Sequence, residues 1–483
     1  MLAFVNAFHY LYSVIHNELS HFFSGAFKDK RLDKRANKTL DSIIKKGSVV
    51  INRCCTTLSE RMGAHRMFNN NKLEESLIKE QIYHNCQEHI QGEHVLCIQD
   101  TSEINYTAHR GRFDTSDSDV GPVVNNSNIG FFVHPMLVVD PVSRMPLGYS
   151  HVKIWNRRND KVDKKSRNYP LQPIEEKESF RWIEVTLESL KSLPQGVKQT
   201  VIADRESDIY EAFHLLPGDR CDLLFRSSSN RILEGEDCLL LEKMQSLPIA
   251  YSYDLEVKGN HSRKTRTARM HLRYGKVRIK KPKDLKGDYP PFIALDCIYV
   301  VEDSGTTPTG EKPIEWRLLT THQVERVEDA MQCVEWYKLR WYIEEIFRLL
   351  KSEGMDIEAS QFETGAALKK LVLLGLIAAW HIMALKLAYD NKEEQLTASI
   401  FFTANQIKLL QIILPTLQGK TLKQQNPHDP LSVAWAAWII ARLGGWSGYA
   451  SQAKAGYITF KQGYKDFISK YQVYEAIINV YRE

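Results

Sequence analysis

No uncharged run in this chain is long enough to cross a bilayer; the longest, Leu371 to Leu385, reads as a buried helix. The N-terminus lacks a basic segment leading into a cleavage site, so no signal peptide is expected. Cys54, Cys55, Cys86, Cys97, Cys221, Cys238, Cys297 and Cys333 form no C-x-x-C pair and no zinc-ligand spacing. They are expected to be reduced, mostly buried thiols of a cytoplasmic protein. Internal repeats and low-complexity tracts are also missing. Neither sign of charge dominates: 64 Lys and Arg against 59 Asp and Glu leave a net +5. That balance permits a nucleic-acid partner without demanding one. These absences exclude a membrane span, a secreted disulfide scaffold, a zinc module and a solenoid. What is left is an ordinary 483-residue chain, long enough for two to four domains.

The most informative stretch runs from Glu335 to Lys351. It has no Pro or Gly, and its apolar residues recur at helical spacing, which predicts one helix. On a wheel of about 100° per residue set at zero on Tyr337, Trp336, Leu339, Ile343, Ile346, Phe347 and Leu350 fall between about 180° and 280°. Tyr337, Arg340, Glu344 and Lys351 fall between about 300° and 360°, a narrow polar stripe at the edge of that core face. Glu345 lies about 100° away from its neighbour. A carboxylate beside an Arg, a Lys and a Tyr hydroxyl suits an anionic substrate and a metal ion, although a surface helix with i,i+4 pairs looks the same.

Two further carboxylates end strand-like runs. Val95 to Ile98 is a short buried strand by length and branching, and Asp100 follows it. Gln199-Thr-Val-Ile-Ala leads into Asp204 in the same way. An Asp at a strand end serves equally as a turn former or helix cap. Asp208 lies on the helix side of its turn and is expected to be structural. Phe131 to Val139 and Leu147 to Lys153 read as a meander, Leu223 to Arg226 as a strand, and Trp316 to Thr321 as another. Arg226 could simply pair with Asp204.

Residues 1 to about 70 look helical. Phe4, Phe8, Leu11, Ile15, Leu19 and Phe22 predict a first helix, and Lys30 to Lys46, stopped by Gly47, a second. The second carries Arg31, Lys34, Arg35, Lys38 and Lys45 on one face, a solvated stripe or a phosphate-contacting one. Lys258 to Lys283 holds eleven Lys and Arg with no Asp or Glu, within a segment of short strands, and is expected to face phosphates. The apolar helix Leu368 to Leu387 should close the core, and the last ninety or so residues read as helices.

Several of these strings together resemble one family. Tyr337, Arg340, Glu344 and Lys351 fit the pattern Y-x2-R-x3-E-x6-K of bacterial insertion-sequence cut-and-paste DNA transposases with an Asp-Asp-Glu active site, and within them the transposon-five type. Asp100 followed by Thr101 and Tyr106, Asp204-Arg-Glu-x-Asp-Ile-Tyr, Lys177-Glu-Ser-x-Arg-Trp182, Lys28-Asp-Lys-Arg-Leu-Asp-Lys-Arg35 and Trp435-Ala-Ala-Trp438 are similar to that family in the same order.

The resemblance implies a mixed α/β, ribonuclease-H-like (retroviral-integrase-like) catalytic core with a β-strand insertion, flanked by helical terminal domains. The expected boundaries are an end-binding domain at 1–72, a catalytic domain at 73–388 with the insertion at about 227–315, and a dimerisation domain at 389–483. It implies Asp100, Asp204 and Glu344 as catalytic metal ligands for two Mg²⁺ or Mn²⁺ ions, carboxylate oxygens suiting those hard cations. Tyr337, Arg340, Lys351 and Arg226 would hold phosphates, and Trp316 would receive a flipped base. Arg31, Arg35 and Lys45 would contact the transposon end. The expected partners are double-stranded DNA, as terminal repeats and target, and a second copy in the DNA complex, in the bacterial cytoplasm at the nucleoid and without a membrane. The expected reaction is strand nicking, hairpin formation and resolution, then strand transfer. A related structure-specific endonuclease and a catalytically silent DNA-binding regulator are the alternatives.

Overall fold

The computed structural model describes residues 21–114, 116–123, 128–157, 172–257, 265–390, 397–449 and 454–480. The first expected helix, from Phe4 to Phe22, lies outside them as far as residue 20, and Phe22 falls in a buried turn.

An eleven-stranded mixed sheet organises the described residues. Its strands are β1 (His94–Gln99), β2 (Ser102–Asn105), β3 (Gly121–Pro122), β4 (Ile129–Val139), β5 (Pro146–Trp155), β6 (Lys198–Ala203), β7 (Cys221–Arg226), β8 (Tyr251–Val257), β9 (Arg266–Lys280), β10 (Phe292–Glu302) and β11 (Glu315–Thr320). The middle is β5-β4-β1-β6-β7, with β4 antiparallel to β1 and β5, and with β1, β6 and β7 parallel. This mixed α/β arrangement is the ribonuclease-H-like one expected. The insertion does not stand apart from it: β11 pairs with β7, and β10, β9 and β8 extend the same sheet.

The parallel strands read as apolar runs because both faces are covered. Leu96 and Ile98 of β1, Ile202 of β6 and Leu224 of β7 face one core. Val95, Cys97, Val201, Ala203, Leu223 and Phe225 alternate onto the other.

The longer helices are α1 (Lys30–Lys46), α2 (Leu58–Phe68), α3 (Glu75–Glu88), α4 (Arg181–Ser192), α5 (Val327–Lys338), α6 (Trp341–Leu350), α7 (Gly365–Asp390), α8 (Ala404–Leu417), α9 (Val433–Leu443) and α10 (Tyr457–Val480). Helix α1 has the predicted limits: Asp29 accepts from Arg31 N–H and Leu32 N–H, and Gly47 ends it in the left-handed conformation at φ 57°. Helix α7 is longer than the apolar run predicted. Gly365–Leu387 has the length and composition to cross a membrane, but 94% of its most apolar 18-residue window is buried inside the protein, so burial and not length marks it as a core helix. Tyr149 and Trp380 tie it to β5, through Leu376 O at 3.0 Å and Pro146 O at 2.8 Å. Helices α8, α9 and α10 enclose a third apolar cluster around Trp435, Trp438 and Phe467.

Candidate active site

The parallel register pairs Ile98 with Ile202, so two residues later Asp100 and Asp204 leave adjacent strand ends level with each other. Side chains at the carboxyl ends of parallel strands are free to face a ligand instead of a core. Each Asp also shapes its own turn: Asp100 accepts from Thr101 N–H at 2.7 Å and Asp204 from Glu206 N–H at 2.9 Å.

Glu344 arrives from the first turn of α6. The single helix predicted over Glu335–Lys351 is in fact two. Helix α5 stops at Lys338 and α6 starts at Trp341, joined by i→i−3 bonds from Leu339 N–H to Trp336 O and from Arg340 N–H to Tyr337 O, both 3.0 Å. Such a turn winds tighter than an α-helix and re-aims the chain beyond it. The physical reason is tertiary. Tyr337 is drawn into the core, 5% exposed, with its ring 6.2 Å from that of Trp316, while Trp341 swings out to 57% exposure. Tyr337, expected at the edge of the core face, lies inside it. The apolar stripe does form a core face: Leu339, Ile343, Ile346, Phe347 and Leu350 are all buried. Glu345 is buried off the stripe and accepts from Trp341 Nε1–H at 3.2 Å.

Arg340 joins the carboxylates. Its Nη1 stands 3.5 Å from Asp100 Oδ2, and its Nη2 pairs with Glu344 Oε1. Burial, then the nearby Asp204, push the Asp100 carboxyl up to about 7; Thr101 N–H and Arg340 pull it down, and Glu344 raises it again. Asp100, Asp204 and Glu344 thus share one field. Tyr337 is held above its usual range chiefly by burial, and its hydroxyl bonds the Arg226 guanidinium. Arg226, at the end of β7, donates to Glu315 O at 2.8 Å instead of pairing with Asp204. Lys351 caps α6, two turns or about 10 Å beyond Glu344. Trp316 is half-buried on β11.

The donor set fits a hard divalent cation: three carboxylates, one of them held up by burial and by its like-charged neighbours, and a guanidinium standing in as the cation between two of them. Among the described residues no three His, Cys, Asp or Glu are close enough to hold an ion as they stand. Arg340 stands between Asp100 and Glu344.

Arg181 escaped the sequence reading, although it sits within the Lys-Glu-Ser-x-Arg-Trp string. It donates from Nε to Thr101 Oγ1 at 2.9 Å and pairs with Glu206 at 2.5 Å, linking the turns that carry Asp100 and Asp204. Asp208 pairs with Arg231 at 2.5 Å and accepts from Ser228 N–H at 2.7 Å, a wholly structural set of partners.

Helix α1 lies apart from these carboxylates, packed on α2, α7 and α10. Arg31 and Lys34 are exposed, Lys38 pairs with Glu60 at 2.9 Å, and Lys45 with Asp41 at 2.8 Å. The Arg35 guanidinium lies over Gly63, where a Cβ would meet it at 2.6 Å. The basic run is less bare than its local composition, for the part from Arg266 onward. Arg266 pairs with Glu302, Arg269 with Asp254 and Lys280 with Glu234, acids carried on other segments. Residues 258–264 of that run lie outside the described residues.

Residues 173–380 match the family model described as the transposase DDE domain. The matched segment holds Asp204, Arg226, Trp316, Tyr337, Arg340, Glu344 and Lys351; Asp100 and α1 precede it. The match supports a DDE transposase family, for which DNA is the substrate and divalent metal the usual requirement.

Proposed function

We propose that the chain is a metal-dependent cut-and-paste DNA transposase of the transposon-five type, with Asp100, Asp204 and Glu344 as its catalytic carboxylates. One observation carries the reading: carboxylates from three distant parts of the sequence share one electrostatic environment at the ends of two adjacent parallel strands. The matched transposase domain supports it.

Asp100, Asp204 and Glu344 would hold two Mg²⁺ or Mn²⁺ ions, which supply activation of the attacking oxygen and stabilisation of the leaving one in an in-line phosphoryl transfer. Arg340 and Arg226 bind phosphate by bidentate hydrogen bonds, Lys351 as a point charge, and Tyr337 donates its hydroxyl hydrogen to a phosphate oxygen. Trp316, beside Tyr337, offers a face for an unstacked base. Water breaks the first phosphodiester bond, leaving a 3′-OH and a 5′-phosphate. That hydroxyl loses its proton and attacks a phosphodiester of the opposite strand, closing a hairpin and expelling the flanking DNA's 3′-hydroxyl. Water reopens the hairpin, and the 3′-OH so regenerated attacks a target phosphodiester, displacing a target 3′-hydroxyl. Arg31, Arg35 and Lys45 in residues 1–72 hold the transposon end, residues 73–388 do the chemistry, and residues 389–483 pair two copies on DNA.

The test is cleavage of a duplex carrying the element's own end, read from the DNA flanking the gene, with Mg²⁺. The intact protein should nick it and form a hairpin, and Glu344→Gln should do neither. Specific end binding without cutting by either protein would leave a DNA-binding regulator instead.

A further inference from the structure

Lys461 is a buried lysine that the proposed chemistry does not use. It sits on α10, far along the chain from the carboxylates, and is only 9% exposed. Its ammonium donates to Gly354 O at 2.7 Å and to Gly47 O at 3.4 Å. Both acceptors lie where a helix has just ended: Gly47 caps α1, and Gly354 lies in the turn that follows Lys351. Neither carbonyl belongs to the last turn of its helix, so the ammonium ties together the two segments that follow the helix ends.

The turn it touches is bound on its other sides as well. Gly354 N–H and Asp356 N–H both return to Lys351 O at 2.9 Å. Val49 N–H, just beyond α1, donates to Met355 O at 3.1 Å, Arg53 pairs with Asp356 at 2.5 Å, and Asn52 donates to Gln361 at 2.7 Å. The Lys461 stem lies against Gly47, whose added Cβ would meet Cγ and Cδ at 3.3 Å. The segments after α1 and α6 and the start of α10 therefore meet at one buried charge.

Resting on the transposase reading above, we infer that Lys461 is a positioning residue for DNA cleavage: it fixes the turn after Lys351, and so makes the aim of α6 depend on contacts made by α1 and α10. A removal of the ammonium should loosen residues 352–356 and let Lys351 drift from its phosphate, while the surface of α1 keeps its own side chains.

The experiment compares the full-length protein with Lys461→Met, which keeps the aliphatic stem, and Lys461→Gln, which keeps a donor. Cleavage of the end duplex with Mg²⁺ is read beside hydrogen exchange at residues 352–356. For Lys461→Met the expected result is a ten- to fiftyfold lower kcat, a KM and end-duplex Kd within threefold of the parent, and at least tenfold faster exchange at those amides. Lys461→Gln should fall between. A kcat within twofold of the parent, or unchanged exchange, overturns the inference; so does a loss that appears only in Kd. If the parent itself cuts nothing, the transposase reading has failed, and exchange alone still decides whether Lys461 holds the turn.

Discussion

The Arg340 guanidinium stands 3.5 Å from the Asp100 carboxylate while its other amino group grips Glu344, so one side chain occupies the gap between two proposed metal ligands. A cation entering that gap must displace it, and a DNA phosphate offers the guanidinium an alternative bidentate partner. Arg340→Ala should therefore bind Mn²⁺ several-fold more tightly than the parent without DNA, and yet cleave at least a hundredfold more slowly for want of its phosphate contact. Titration calorimetry with Mn²⁺ checks the first part. A weaker affinity in the variant would show that Arg340 supports the ligands instead of competing for them.

The Asp100 carboxyl gives a prediction in pH. It is raised from 3.8 to about 7, so between those values the folded protein holds a proton that the unfolded chain has released. Stability is then full below about pH 4 and is lost as pH climbs toward 7. Asp100→Asn, neutral throughout, should raise Tm by several degrees at pH 8 in chelator, gain little at pH 4, and abolish cleavage at both. Cleavage by the parent should rise as pH passes through about 7. A variant that melts below the parent at pH 8 would mean that the Arg340 contact outweighs the burial of charge.

Where the sequence was informative, local physics carried the signal. Asp100 and Asp204 were legible because strands buried on both faces read as unbroken apolar runs, which makes the first carboxylate after each run conspicuous. Glu344 was legible because helical periodicity holds within α6. The tight turn at Leu339–Arg340 was not: nothing in its composition breaks a helix, and it arises from seating Tyr337 against Trp316 and Arg226. The basic run is less one-sided in the fold than in the sequence, since Glu302, Asp254 and Glu234 reach it from other segments. Arg181 and Lys461 make their contacts with distant segments; the Lys-Glu-Ser-x-Arg-Trp string was the one sign of Arg181, and nothing near Lys461 in the sequence pointed to it.

Tyr337→Phe separates packing from chemistry. The ring stays against Trp316, but the Arg226 guanidinium loses a buried partner, which costs about 1 kcal/mol of stability. Cleavage should fall by tenfold or more because the hydroxyl donor to phosphate is gone. Urea unfolding beside single-turnover cleavage distinguishes the two effects, and a loss of stability with unchanged cleavage would make Tyr337 purely a core residue.

Gly354 tests the turn itself. An added Cβ would lie 1.8 Å from Leu349 O, the carbonyl that accepts from Met355 N–H at 2.6 Å, so backbone must move. Gly354→Ala should cost about 1–3 kcal/mol, the usual range for overpacking a tight site. Equilibrium unfolding in urea measures it, and a cost under about 0.5 kcal/mol, the range of surface substitutions, would mean the turn is compliant.

Helix α1 makes a graded prediction, because its basic residues are not equally free. Arg31 and Lys34 are exposed with no ion pair among the described residues, whereas Lys45 already pairs with Asp41. A phosphate contact contributes close to one unit to the slope of log affinity against log salt, and removing one lowers that slope by about as much. Arg31→Ala and Lys34→Ala should each reduce the slope by about 1 for the end duplex. Lys45→Ala should change it by less, since the lysine must first leave Asp41. Fluorescence anisotropy across a salt series reads all three. Equal slopes in every variant would remove α1 from the DNA interface and leave its basic face to solvent.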